Sequence, residues 1–146
     1  MRSVFARSYG VSLGFVPVTD LAAAVTQILD TANSIRQNMT EKEALCLHFW
    51  ERDQYPPSEE PLGYVLGSWL GDLEARLRAA DANVFSSSAE AELGDGVFQL
   101  IAIEPDRFAL GVHLHSNFHS RWPGGRKLIA LPPEAPSRAY LKLEEV

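Results

Sequence analysis

Leu62, Val65, Leu66, Trp69, Leu70, Leu73 and Leu77 recur at intervals of three and four residues, which places them on one face of an α-helix. A stripe of that length must be covered by other apolar surface, so the chain has to fold with a second layer against it. The spacing predicts a helix from Leu62 to near Ala80. Its entry is stiffened by Pro56, Pro57 and Pro61 in the loop Asp53 to Pro61. Ser58 is a capping candidate there, and Glu59 and Glu60 suit the positive end of a helix. Gly63, Gly67 and Gly71 run beside the stripe, each costing about 1 kcal/mol relative to alanine. Such a row of absent side chains is expected to let the helix lie close against a sheet.

The rest of the chain supplies that sheet. Val11 to Val18 is apolar and β-compatible, and Pro17 near its end suits an edge strand. Asp20 can cap a helix in which Leu21, Ala24, Val25, Ile28, Leu29, Ala32 and Ile35 keep helical spacing. Leu45, Leu47 and Phe49 alternate with Cys46, His48 and Trp50, a strand with one more polar face. Asn83 to Ser87 reads as a short strand. Val97 to Ile103 and Phe108 to His115 form a hairpin around Glu104-Pro105-Asp106-Arg107. The order β-α-β-α-β-β-β predicts an α+β domain: two main helices on one face of a mixed or antiparallel sheet. At 146 residues and 46% hydrophobic content, the chain can bury one core.

Cys46 is the only cysteine, which excludes an internal disulfide, and its apolar neighbours suggest a buried thiol. No apolar run approaches the roughly 18 residues of a membrane span, and the N-terminus lacks a secretory pattern. The cytoplasm is the expected compartment. The net charge of -6 argues against a strong, self-sufficient nucleic-acid surface. The cations are nevertheless uneven: Arg121, Arg126, Lys127, Arg138 and Lys142 collect near the end, while Glu41, Glu43, Glu51, Asp53, Glu59 and Glu60 make the middle acidic.

Two stretches carry chemistry. His113, His115 and His119 have the spacing His-x-His-x-x-x-His, in which the first two share a strand face and the third arrives from a loop. Glu104 and Asp106 are too loosely placed to complete an enzyme's metal set, so hydrogen-bonding histidines without a metal are expected. The segment from Ser116 to Lys127 combines amides, hydroxyls, aromatic rings and cations, a mixture suited to stacked bases and phosphates. An ordinary ordered loop, with Trp122 filling a gap, is the structural alternative. Glycine-rich cofactor loops, a phosphate-binding loop and a nucleophile elbow are all missing, so no independent active site is expected.

The tail from Ala135 to Val146 contains about two turns of a charged amphipathic helix, short of the roughly 12–15 residues that an isolated helix needs. Ser137-Arg138-Ala139-Tyr140-Leu141-Lys142-Leu143-Glu144-Glu145 resembles the opening helix of the FtsJ-type ribose 2'-O-methyltransferase domain. Ser116-Asn117, Arg126-Lys127-Leu128 and Pro133-x-Ala135-Pro136-Ser137-Arg138 resemble the join in one branch of that family, the RlmM-type enzymes acting on large-subunit rRNA. In that branch a THUMP-like RNA-recognition region precedes the catalytic domain.

The resemblance implies residues 1–133 as an α+β substrate-recognition domain and 134–146 as a linker with the first helix of a methyltransferase domain. It implies Lys142 as one member of a Lys-Asp-Lys-Glu catalytic set, the other members and the S-adenosylmethionine site lying beyond Val146. The fragment alone would then be inactive. Asn117, Arg121, Trp122, Arg126, Lys127 and Arg138 are the implied RNA contacts, with rRNA and the following catalytic domain as partners. The branch has tyrosines and serines around the histidine strand, a further reason to expect no metal. Two readings compete: a structural or protein-interaction domain attached to such an enzyme, and a metal hydrolase, which requires His113, His115 and His119 to converge around an open position.

Overall fold

The computed structural model describes residues 9–39, 44–51, 69–81, 83–104 and 106–125. It is a mixed α+β fold built from strand β1 (Val11–Pro17), helix α1 (Leu21–Asn38), strand β2 (Cys46–Glu51), helix α2 (Trp69–Ala80), and strands β3 (Gly96–Glu104) and β4 (Arg107–Leu114). The four strands form one sheet in the order β1-β4-β3-β2. β2 runs parallel to β3, with α2 as the intervening connection, and the other two pairings are antiparallel. The sheet is therefore mixed, one of the two forms expected.

Local chemistry explains the elements. The Asp20 carboxylate accepts from the backbone N–H groups of Ala22 and Ala23 at 2.8 and 3.4 Å, starting α1 where the sequence predicts. Pro17 closes β1, an edge strand whose register shifts between Ser12 and Gly14, with Gly14 at φ 100°. A positive φ at that irregularity favours glycine. The β3–β4 hairpin is tighter than expected: the strands continue to Glu104 and Arg107, which pair across the ladder and through a 2.7 Å ion pair.

The core follows the predicted stripes. Ala24, Ile28 and Ala32 of α1 and Leu73 and Leu77 of α2 are buried in one cluster with Leu47, Phe98, Leu100, Ala102 and Phe108. Alternation along β3 sends Phe98, Leu100 and Ala102 to this cluster and Val97 and Gln99 to the opposite face. Val97 and Gln99 are buried too, because the segments after α2 and after β4 cover that second face.

Two expectations are corrected. Asn83 to Ser87 is not a strand: it contributes a single parallel bridge, Leu45 to Phe85, with Leu45 N donating to Val84 O and Ser86 N to Leu45 O. Its Ser86-Ser87-Ser88 run turns on side-chain-to-backbone bonds (Ser86 Oγ to Ser88 O, 2.9 Å), which compete with a ladder. Gly71 is exposed, and a Cβ there would meet nothing, so it does not bring α2 closer to the sheet. The apolar stripe and glycine row before Trp69, the Asp53–Pro61 loop, and the Arg126, Lys127, Arg138 and Lys142 assignments lie outside the described residues.

Candidate functional site

The sheet face turned away from the helices carries the polar residues. Register places His48 beside Gln99, Gln99 beside Gly111, and His113 beside Val97. Gly111 faces the Gln99 side chain, and a Cβ there would sit in ordinary contact 3.4 Å from Gln99 Oε1. Nε2 of the Gln99 amide lies 3.3 Å from His113 Nδ1.

After Leu114 the chain leaves the ladder but stays pinned. His115 N donates to Asp95 O at 2.8 Å, and Gly94 N donates to His115 O at 3.0 Å. A turn follows, in which His119 N donates to Ser116 O and Ser116 Oγ hydrogen-bonds His119 Nδ1, both at 2.9 Å. This turn folds His119 back over the strand, where its ring stacks on His113 with centroids 4.3 Å apart. One ring nitrogen from each of His113, His115 and His119 then lies within 4.8 Å of the other two. The buried His48 ring completes the group, 6.3 Å from His113.

These rings are costly to bury. Among the described residues, no hydrogen-bond partner reaches His48 Nε2, His113 Nε2 or His115 Nδ1. An orphaned buried donor or acceptor costs about 1–3 kcal/mol. Burial pushes His48 down to about 4, partly offset by the backbone carbonyls of Arg121 and Ala89. Burial, then repulsion from His119, His48 and His115, holds His113 at about 4. His115 is also lowered, first by burial and then by His119, with Asp95 opposing. At neutral pH these three imidazoles are neutral, able to accept a hydrogen bond or a metal through a lone pair.

The cluster borders an open recess of about 520 Å³, lined by Glu92, Leu93, His115, Asn117, His119 and Arg121. Of the RNA-contact residues expected from sequence, Asn117 and Arg121 therefore meet at one place. Arg121 is partly committed to the fold: its guanidinium pairs with Glu90 at 3.0 Å and its Nε donates to Ala91 O at 3.3 Å. Its side chain is still 55% exposed. Trp122 is half-buried and stands outside the recess lining. The adjacent Gly124, at φ 60°, lies against Trp50, where a Cβ would approach the indole to 3.0 Å.

Two contributors went unassigned by sequence reasoning. Tyr9 packs its ring 4.5 Å from His119 and donates its hydroxyl to Phe118 O at 2.9 Å. No local pattern connects residues 109 positions apart. His48 had only the weak signal of alternation on the polar side of β2. Phe118, part of the loop singled out for its aromatics, is 58% exposed beside them. Chemically, the site offers neutral imidazoles, an amide, one partly paired cation and two accessible aromatic rings. Compared with known proteins, the chain matches no family model and no curated protein.

Proposed function

We propose that this chain is a substrate-recognition domain for RNA, with a THUMP-like fold, working beside the catalytic domain of a cytoplasmic S-adenosylmethionine-dependent rRNA ribose 2'-O-methyltransferase. The carrying observation is that Asn117 and Arg121 line one recess together with His119, against which Tyr9 packs while bonding the backbone of exposed Phe118. Unpaired RNA is read by aromatic stacking, amide hydrogen bonds and cation–phosphate contact, and these groups supply all three. The resemblance of Ser116 to Glu145 to the methyltransferase join supports the same assignment. On this reading Lys142 acts in the catalytic set, where a cation near the target hydroxyl favours the attacking alkoxide.

Binding by this domain is weak. Glu90 already pairs with Arg121, Glu92 lines the recess, and the chain's charge of -6 opposes phosphate. The test compares single-stranded rRNA fragments bound to this chain and to the uninterrupted gene product, by fluorescence anisotropy across a salt series. Phe118→Ala weakens binding by about 1–3 kcal/mol if a base stacks there. Arg121→Ala lowers the salt slope by about one. Affinity and salt slope unchanged in both variants would overturn the reading, as would full methylation by the uninterrupted protein carrying Lys142→Ala for the catalytic assignment. A protein-docking role without RNA contact is the second reading, favoured by exposed Leu93 and Leu114 near the recess. It gains if neither form binds RNA.

A further inference from the structure

Nothing in the nucleotide-binding reading calls for three histidines here, yet the fold brings them together. We propose that His113, His115 and His119 bind one divalent transition-metal ion of the zinc class, leaving a coordination position open toward the recess. The inference stands on the histidine geometry and does not depend on the RNA reading.

Three observations carry it. First, a nitrogen of each ring already lies within 4.8 Å of the others. Zinc–imidazole bonds of about 2.0–2.1 Å put tetrahedral donors roughly 3.3 Å apart, so the rings need to close by about an ångström or more. His119 is the ring free to do so, because it is half-buried on a turn rather than on the sheet. Its stack on His113, now tilted by 23°, opens as both rings turn their edges to the ion.

Second, the supporting contacts are of the kind that orient ligating histidines. Ser116 Oγ holds His119 at Nδ1, and the Gln99 amide lies against His113 at Nδ1. Each arrangement leaves Nε2 for the ion. For His113 the proton must then sit on Nδ1, and a half-turn of the Gln99 amide presents Oε1 to receive it. Third, His113 Nε2 and His115 Nδ1 are buried without a partner among the described residues. Coordination satisfies His113 Nε2 and orders the His115 ring. An all-imidazole set selects zinc, copper, nickel or cobalt over magnesium and calcium, which require oxygen ligands.

The test uses the chelator-stripped chain without RNA, titrated with Zn²⁺ by calorimetry and with Co²⁺ by visible absorption, Mg²⁺ serving as control. The expected result is one Zn²⁺ per chain, a tetrahedral cobalt spectrum and no Mg²⁺ binding. His119→Gln, at the half-buried turn, keeps the far-ultraviolet circular dichroism of the parent and loses more than the roughly 10–100-fold that an outer-shell change costs. Gly71→Ala, on the exposed surface of α2, retains the parent affinity. Absence of saturable Zn²⁺ binding by the parent chain overturns the proposal. So does parent-like affinity in folded His119→Gln. Loss of RNA binding in Phe118→Ala with intact Zn²⁺ binding separates this site from the nucleotide surface.

Discussion

Acid should destabilise the metal-free protein through its buried imidazoles, and His48 gives the clearest measure. The ring is almost wholly enclosed, and burial holds its pKa at about 4 against an ordinary 6.5. Between those values the unfolded chain carries a proton on this residue that the folded chain refuses. Stability is therefore fully present above about pH 6.5 and is withdrawn as the pH falls toward 4. At about 1.4 kcal/mol per pH unit, the gap corresponds to about 3 kcal/mol for His48. That is a large share of the ~5–15 kcal/mol typical of a domain. His113 shifts the same way but contributes less, because the residue as a whole is only half-buried.

Urea unfolding in chelator, followed by circular dichroism from about pH 7 down to about pH 4.5, measures the loss. His48→Gln retains a donor for the neighbouring carbonyls but cannot titrate. Over that range its stability should fall by about 2 kcal/mol less than the parent's. Carboxylates titrate in both proteins, so the difference isolates the histidine. An identical pH dependence in the two would refute the argument that enclosure of His48 sets its protonation.

Two further outcomes follow from single residues. Burial, with Asp95 adding to it, pushes the Cys46 thiol up to about 11, and its Sγ lies 3.7 Å from Ser88 O. The native protein should resist iodoacetamide at neutral pH and react promptly in denaturant; native labelling at the rate of a free thiol would contradict this. Gly71→Ala should raise stability by up to about 1 kcal/mol, because the position is exposed in α2 and a Cβ meets nothing. A thermal scan should show the midpoint rising by about 2–4 °C, and a lower midpoint would mean a contact at Gly71 was missed.

Much of the framework was legible because it depends on local periodicity. Leu73 and Leu77, and Ala24, Ile28 and Ala32, keep helical spacing in the sequence and are buried together in the fold. Asp20 announces α1 through side-chain chemistry that acts over three residues. Asn83 to Ser87 misled for the converse reason: its composition permits a strand, but serine side chains bond the local backbone and leave one bridge. Gly71 misled because spacing places it beside a stripe without saying which surface that flank meets.

The sequence by itself determined strands β1 to β4, the start of α1, the apolar stripe of α2, the polar side of β2, and the two-residue spacing that sets His113 near the end of β4 and His115 just past it. These follow from bonding and alternation within a few residues. Only tertiary structure decided that β2 and β3 run parallel, that Gln99 lies between His48 and Gly111, and that His119 turns back onto His113. It also set Tyr9 against His119 and gave Arg121 to Glu90. Such contacts depend on where distant segments cross, and on the burial that crossing imposes. That burial turns His48 and His113 from ordinary histidines into neutral rings at pH 7.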